Sequence, residues 1–153
     1  MVLLPLVRSR VDVPIIAAGG ITDGATMAAA FALGAEGVQM GTRMVSAAES
    51  PVHDNWKQAI VDAAETDTLF LNQRHSPALR ALRTDRTSAL LHAEHNVFGD
   101  FGSPQDLYFG GDMNAAIALS GQVAGRIDSI EPVAKIIDDT VREFAATVAR
   151  LNG

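Results

Sequence analysis

Residues 13–24, VPIIAAGGITDG, constrain the fold more than any other stretch of the chain. Residues 13–18 are apolar and rich in β-branched side chains, the pattern of a strand buried on both faces in a parallel sheet covered by helices. Gly19-Gly20 ends that strand, and Thr22 or Asp23 is placed to cap the next helix. Residues 24–33, GATMAAAFAL, are almost all small or apolar, as a helix packed hard against a sheet requires. Gly34 suits the position just past its end. Residues 36–40, EGVQM, predict a second short strand that turns out at Gly41-Thr42. The result is a βαβ unit of about minimum length, with a right-handed crossover expected.

Parallel strands share a direction, so both glycine-bearing turns fall on the same edge of the sheet. At that edge backbone N–H groups and helix starts face outward, and a missing Cβ lets an anion approach closely. A phosphate held between adjacent strand ends is the arrangement of barrels whose last two strands grip a phosphorylated ligand. Thr42 offers a hydroxyl donor and Arg43 a charge. The plainer alternative is that the glycines simply make tight turns. Neither G-x-G-x-x-G nor G-x-x-x-x-G-K-[ST] occurs, so dinucleotide-fingerprint and P-loop readings fail.

Beyond residue 50 the pattern changes. Residues 3–10 read as a helix end, and a helix is expected near 52–65 with Pro51 in its first turn. A short strand is expected at 67–71, and a helical piece around 77–83 in a polar, arginine-bearing segment. The glycine-rich run 98–112 reads as a loop, and a helix is expected from Met113 to about Val123, broken by Gly125. A final amphipathic helix follows Glu131-Pro132, with Val133, Ile136, Ile137, Val141, Phe144 and Val148 at three- and four-residue spacing and Asp138, Asp139 and Glu143 facing water. One parallel βαβ leaves both strands with unpaired edges. Strands as apolar as 13–18 call for neighbours on both sides, from a larger sheet or from association of copies.

The 153 residues contain 12 basic and 18 acidic side chains, a formal net charge of -6. The positive charges are scattered and there are only one Trp, one Tyr and six Phe, a poor match to a nucleic-acid surface. No apolar run approaches the roughly 18–20 residues that span a bilayer. With no cysteine, disulfides, thiolate catalysis and cysteine-ligated metals are excluded. A cytoplasmic protein is the expectation.

The segment AAGGITDGATMAAAFALGAEGVQMGTRM closely resembles the flavin-binding segment of the nitronate monooxygenase family, the 2-nitropropane dioxygenase-like proteins. Flavin-type enoyl-ACP reductases are close relatives of that family. E49-S-P-V-H, T66-D-T, A78-L-R-A-L-R and G110-G-D-M-N with S120-G-Q-V-A-G-R-I extend the resemblance over almost the whole chain. It implies an α/β fold: the last two βα units of an FMN-binding TIM (β/α)8 barrel, incomplete here, plus a mostly helical C-terminal part. Residues 1–50 are then barrel, 51–112 part of an inserted smaller domain, and 113–153 helices packing back on the barrel.

The same resemblance implies FMN as cofactor and oxidation of an alkyl nitronate with O2. The FMN contacts would be Gly19, Gly20, Gln39, Met40, Gly41 and Thr42. NAD(P)H-dependent enoyl-ACP reduction is the alternative within the fold. The family's histidine base, in a glycine-rich G-H segment, lies in an N-terminal half that this chain does not match, so no catalytic residue is assigned. Accordingly the chain is expected to be a truncated, split or excised form. It would act as a homo-oligomer or with a complementing N-terminal half, or be a non-catalytic remnant.

Other candidates are weaker. His92 and His95 share a helix face near Glu94, but without a placed third ligand solvated positions are the reading taken over a metal site. His53 reads as packing or capping, and none of His53, His75, His92 and His95 matches the family base. Arg74, Arg80, Arg83 and Arg86 suit an anionic substrate or carrier, or else salt-bridged faces. Gln122 is placed near a site mouth only if Gly121 and Gly125 are not simply helix-packing glycines.

Overall fold

The computed structural model describes residues 2–153. It divides into two compact units, one made of the chain through Gly41 together with Pro132–Gly153, the other of Thr42–Glu131.

In the first unit, helix α1 (Leu3–Arg8) precedes strand β1 (Ile16–Ala18), helix α2 (Gly24–Ala32) and strand β2 (Gly37–Gln39), and helix α7 (Val133–Asn152) returns to pack on α2. The strands pair in parallel, with Ile16 opposite Gly37 and Ala18 opposite Gln39. Asp23 is the helix cap: its carboxylate accepts the Thr26 N–H at 2.8 Å while Thr26 Oγ1 accepts the Asp23 N–H at 3.2 Å. At the other end Gly34 has φ of +102°, and the Gly34 and Ala35 N–H groups return to the carbonyls of Phe31 and Ala30. That is the left-handed helix ending glycine allows. Ile21, Ala30 and Ala35 form a small core with Met27, Val38 and Met40.

The strand predicted over 13–18 is laddered only at 16–18, and it is not buried on both faces. Among the described residues it has one neighbour, and Ile16 is 67% exposed. The α2–α7 crossing is close. A Cβ built on Gly24 would lie 2.1 Å from the Phe144 backbone nitrogen, and the Phe31 and Phe144 rings meet edge-on at 5.1 Å. Asp138 and Glu143 are exposed, as expected, and Asp139 is partly exposed; two of these acidic residues also have partners. Glu143 accepts the Gly24 N–H at 2.9 Å, and Asp139 pairs with Lys135 and Arg142. The opposite stripe of α7, with Ile137, Val141, Val148 and Leu151, is exposed.

The second unit begins with the short helix α3 (Thr42–Val45) and helix α4 (Asp54–Val61). His53 caps α4, its Nδ1 accepting the Asn55 N–H at 3.1 Å, so Pro51 lies before the helix rather than in its first turn. Strands β3 (Thr68–Leu71) and β4 (Leu79–Leu82) form an antiparallel hairpin, followed by helices α5 (Asp85–Ala89) and α6 (Pro104–Tyr108). The helix predicted around 77–83 is therefore β4. Seven residues are too few to hold a helix on propensity alone, whereas β3 offers a ladder partner to each of the four at 79–82.

The helix predicted over 113–123 is also absent. Residues 116–119 run extended beside β4, with Ala81 bridged to Leu119 and the Leu82 N–H donating to the Ala118 carbonyl at 2.8 Å. Ala116 and Ala118 face a core of Trp56, Ile60, Leu82 and Leu107, while Ile117 faces Leu69, Leu71, Ala81 and Val97. That alternation is the period of a strand, which a short apolar run does not distinguish from a helix. The predicted loop 98–112 contains α6 and a 3-10 turn at Val97–Asp100. No helix among the described residues is long and apolar enough to cross a membrane.

Candidate functional site

The parallel register carries the two glycine turns to one edge. Ala18 and Gln39 are partners in the ladder, so Gly19 leaves β1 where Met40 leaves β2. Gly19 and Gly20 both have positive φ, +94° and +80°. That conformation accounts for glycine at both positions. Gly41 is different. Its φ is not positive, and a Cβ added there would meet nothing within 4 Å. Neither backbone conformation nor packing explains why a side chain is missing at Gly41. Added Cβ atoms at Gly19 and Gly20 would likewise enter open space. Gln39 is exposed, while the Met40 side chain packs into the Ile21–Ala30–Ala35 core and leaves its backbone for any ligand. Beside this edge an apolar groove of about 680 Å³ runs between α1 and α2, bordered by Leu4, Ile16, Gly19, Gly20 and Ala29.

Thr42, the remaining predicted contact, is the first residue of the second unit. It is half-buried, and its hydroxyl oxygen accepts the Gly121 N–H at 2.8 Å. Arg43 is engaged inside the same unit, its Nη1 donating to the Ser129 carbonyl at 2.7 Å and to Ser46 Oγ at 3.3 Å. Sequence reasoning missed the Thr42–Gly121 pair. The S-G-Q motif was visible, but a helix over 113–123 conceals its strand-like approach to Thr42.

The other candidates are accounted for by their neighbours. Arg74 pairs with Glu94 at 3.1 Å and Arg83 with Asp67 at 3.6 Å. Arg80 donates to Thr68 Oγ1 at 3.0 Å and lies over the Phe70 ring. Arg86 donates to the Asn114 and Asp100 carbonyls at 2.6 and 2.9 Å. His95 Nε2 lies 2.5 Å from Asp100, so of the His92–His95 pair one member is already engaged, as is the carboxylate of Glu94. Gly125 is a packing glycine, since a Cβ there would stand 2.5 Å from the Glu65 Cα, and Gln122 is exposed at the start of a 3-10 turn.

Comparison with known proteins gives the family of the chain. Residues 1–143 match the family described as nitronate monooxygenase. A probable nitronate monooxygenase of Staphylococcus haemolyticus is 34% identical over 97 residues, 63% of this chain and 27% of that protein. The structure of FabK from Thermotoga maritima superposes on 99% of this chain and 50% of its own, with TM-score 0.91 and 43% identity. The nitroalkane oxidase from Streptomyces ansochromogenes covers 97% of this chain and 44% of its own, with TM-score 0.77 and 26% identity. The chain thus spans about half the length of the solved structures it matches. By sequence and by fold, it belongs to the nitronate monooxygenase family, oxidoreductases of the flavin type built on a TIM-barrel-type fold.

Proposed function

We propose that this chain is the cofactor-phosphate half of an FMN-dependent oxidoreductase that oxidises alkyl nitronates with O2. In this reading Gly19, Gly20, Gln39, Met40, Gly41 and Thr42 hold the FMN phosphate, Gln39 and Thr42 with side-chain groups and the rest through backbone. The observation that carries it is Gly41. It has an ordinary backbone and open space in front of it, on the edge where β1 and β2 both end. A Cβ-free surface at that edge fits a phosphate that must come close to the main chain. FMN supplies the electron transfer between nitronate and O2, while the protein supplies binding and orientation. No residue of this chain is given the role of base.

The exposed edge of β1 and the exposed stripe of α7 support a working form in which further strands and helices cover this unit. A complementing N-terminal half is the partner we favour over a second copy. It would supply neighbouring strands of the same barrel to the exposed edge of β1. NAD(P)H-dependent enoyl-ACP reduction is the second reading, kept because the FabK match exceeds the nitroalkane oxidase match in identity and in TM-score.

The test is a titration of the purified chain with FMN and with riboflavin, which lacks the phosphate, followed by flavin fluorescence. Tighter binding of FMN is expected. Equal binding, or none, sinks the phosphate site and leaves the chain a non-catalytic remnant or an assembly partner.

A further inference from the structure

Thr42 and Gly121 lie 79 positions apart, yet the Gly121 N–H donates to Thr42 Oγ1 at 2.8 Å. A threonine hydroxyl has one proton and two lone pairs. The Gly121 N–H occupies a lone pair, so the geometry commits the oxygen as an acceptor on that side. Among the described residues nothing accepts the hydroxyl proton in return. Thr42 therefore presents a donor with its oxygen already held.

Glycine at 121 is not demanded by its backbone. Its φ of −74° and ψ of 159° lie in the extended region that any residue adopts. What the position needs is room. A Cβ would stand 3.2 Å from Thr42 Oγ1 and 3.4 Å from Val123 Cγ2, tight enough to push the hydroxyl aside. Gly121 reaches this spot because the strand-like run before it is laddered to β4. The Leu82 N–H bonds the Ala118 carbonyl, and the Ser120 N–H bonds the Arg80 carbonyl at 3.1 Å.

We infer that Gly121 is a positioning residue for the cofactor phosphate: it holds Thr42 Oγ1 by its N–H and, by lacking a Cβ, lets the hydroxyl proton be offered to a phosphate oxygen. The inference rests on the FMN-phosphate reading above and adds to it a residue remote in sequence. A hydroxyl fixed in this way pays no rotamer entropy when the anion arrives, and a hydrogen bond to a charged oxygen is among the stronger ones.

The experiment measures dissociation constants of the full chain for FMN and for riboflavin in four variants. Thr42→Val and Gly121→Ala are each expected to cut the preference for FMN over riboflavin about tenfold. Thr42→Ser retains the preference. Adding Gly121→Ala to Thr42→Val causes no further loss, because both act through one hydroxyl. If Gly121→Ala keeps the wild-type preference while Thr42→Val loses it, the hydroxyl is used and Gly121 does not position it. A wild-type chain indifferent to the phosphate overturns the parent reading, and this inference with it.

A second measurement covers the case in which Gly121→Ala does not fold. In Thr42→Val the Gly121 amide loses its acceptor, so its hydrogen exchange is expected to accelerate about tenfold. Unchanged exchange there overturns the inference even where FMN preference has fallen.

Discussion

Glu143 of α7 accepts the backbone N–H of Gly24, the first residue of α2, at 2.9 Å across 119 positions of sequence. Just there the two helix backbones are so close that Gly24 has no room for any side chain. Gly24→Ala is expected to destabilise the first unit by about 3 kcal/mol, since the clash is with main chain that cannot rotate away. Glu143→Ala, which removes only the acceptor, is expected to cost about 1 kcal/mol. Urea unfolding followed by circular dichroism separates them. Equal costs would mean that the crossing is looser than 2.1 Å implies.

Gly41 and Gly20 make opposite predictions. Gly20→Ala places a side chain at positive φ and is expected to cost about 1 kcal/mol of stability. Gly41→Ala is expected to change stability by less than about 0.5 kcal/mol, because the added methyl meets nothing. It nevertheless intrudes where the phosphate is proposed to sit, so FMN affinity falls while riboflavin affinity holds. Thermal melts paired with flavin titrations give both readings. A Gly41→Ala chain that binds FMN normally removes the observation on which the proposed function stands.

Arg86 ties α5 to two later segments through the Asn114 and Asp100 carbonyls. Truncation leaves both acceptors without their charged donor, and Arg86→Ala is expected to destabilise the second unit by about 1–3 kcal/mol. Flavin binding in the folded variant stays as in wild type. A selective loss of binding with unchanged stability would instead return this arginine to an anion-recognition role.

Asp139 gives the pH prediction. Its hydrogen bond to Lys135, aided by Arg142, holds its carboxyl below the usual aspartate value, against the opposing effect of its desolvation. A lowered folded pKa means that the unfolded chain takes up the proton more readily. The stabilisation is complete above the ordinary aspartate range and fades as pH falls through the lowered value. Unfolding midpoints measured from about pH 6 to about pH 2 should therefore fall less steeply in Asp139→Asn than in wild type. Parallel curves for the two proteins would show that the pairing makes no contribution.

The elements legible in the sequence were those specified by local chemistry. The Asp23 cap, the Gly34 ending, the Gly19-Gly20 turn and the spacing of α7 are short-range features, and each is found where its residues stand. What misled were runs whose partner lay far away. Leu79 and Leu82 are three apart and suit a helix, yet pairing with β3 decides for a strand. Ala115, Ala116 and Ala118 are good helix formers, yet the open edge of β4 takes them as an extended run. The glycine turns of the site were legible because a strand end and its turn are adjacent in the chain. The partner of Thr42 was not, because only long-range pairing brings it near.

The pairing of residues 116–120 with β4 has a consequence for how this protein tolerates change. A strand that slips by one residue exchanges its two faces. Ser120 would then stand where Gly121 does, and a side chain would fill the space above the Thr42 hydroxyl. The ladder works as a ruler laid from the hairpin to that hydroxyl. An insertion in the exposed stretch 94–96 leaves the ruler unchanged, however much it reshapes the surface, whereas a single deletion within 116–120 shortens it by one division.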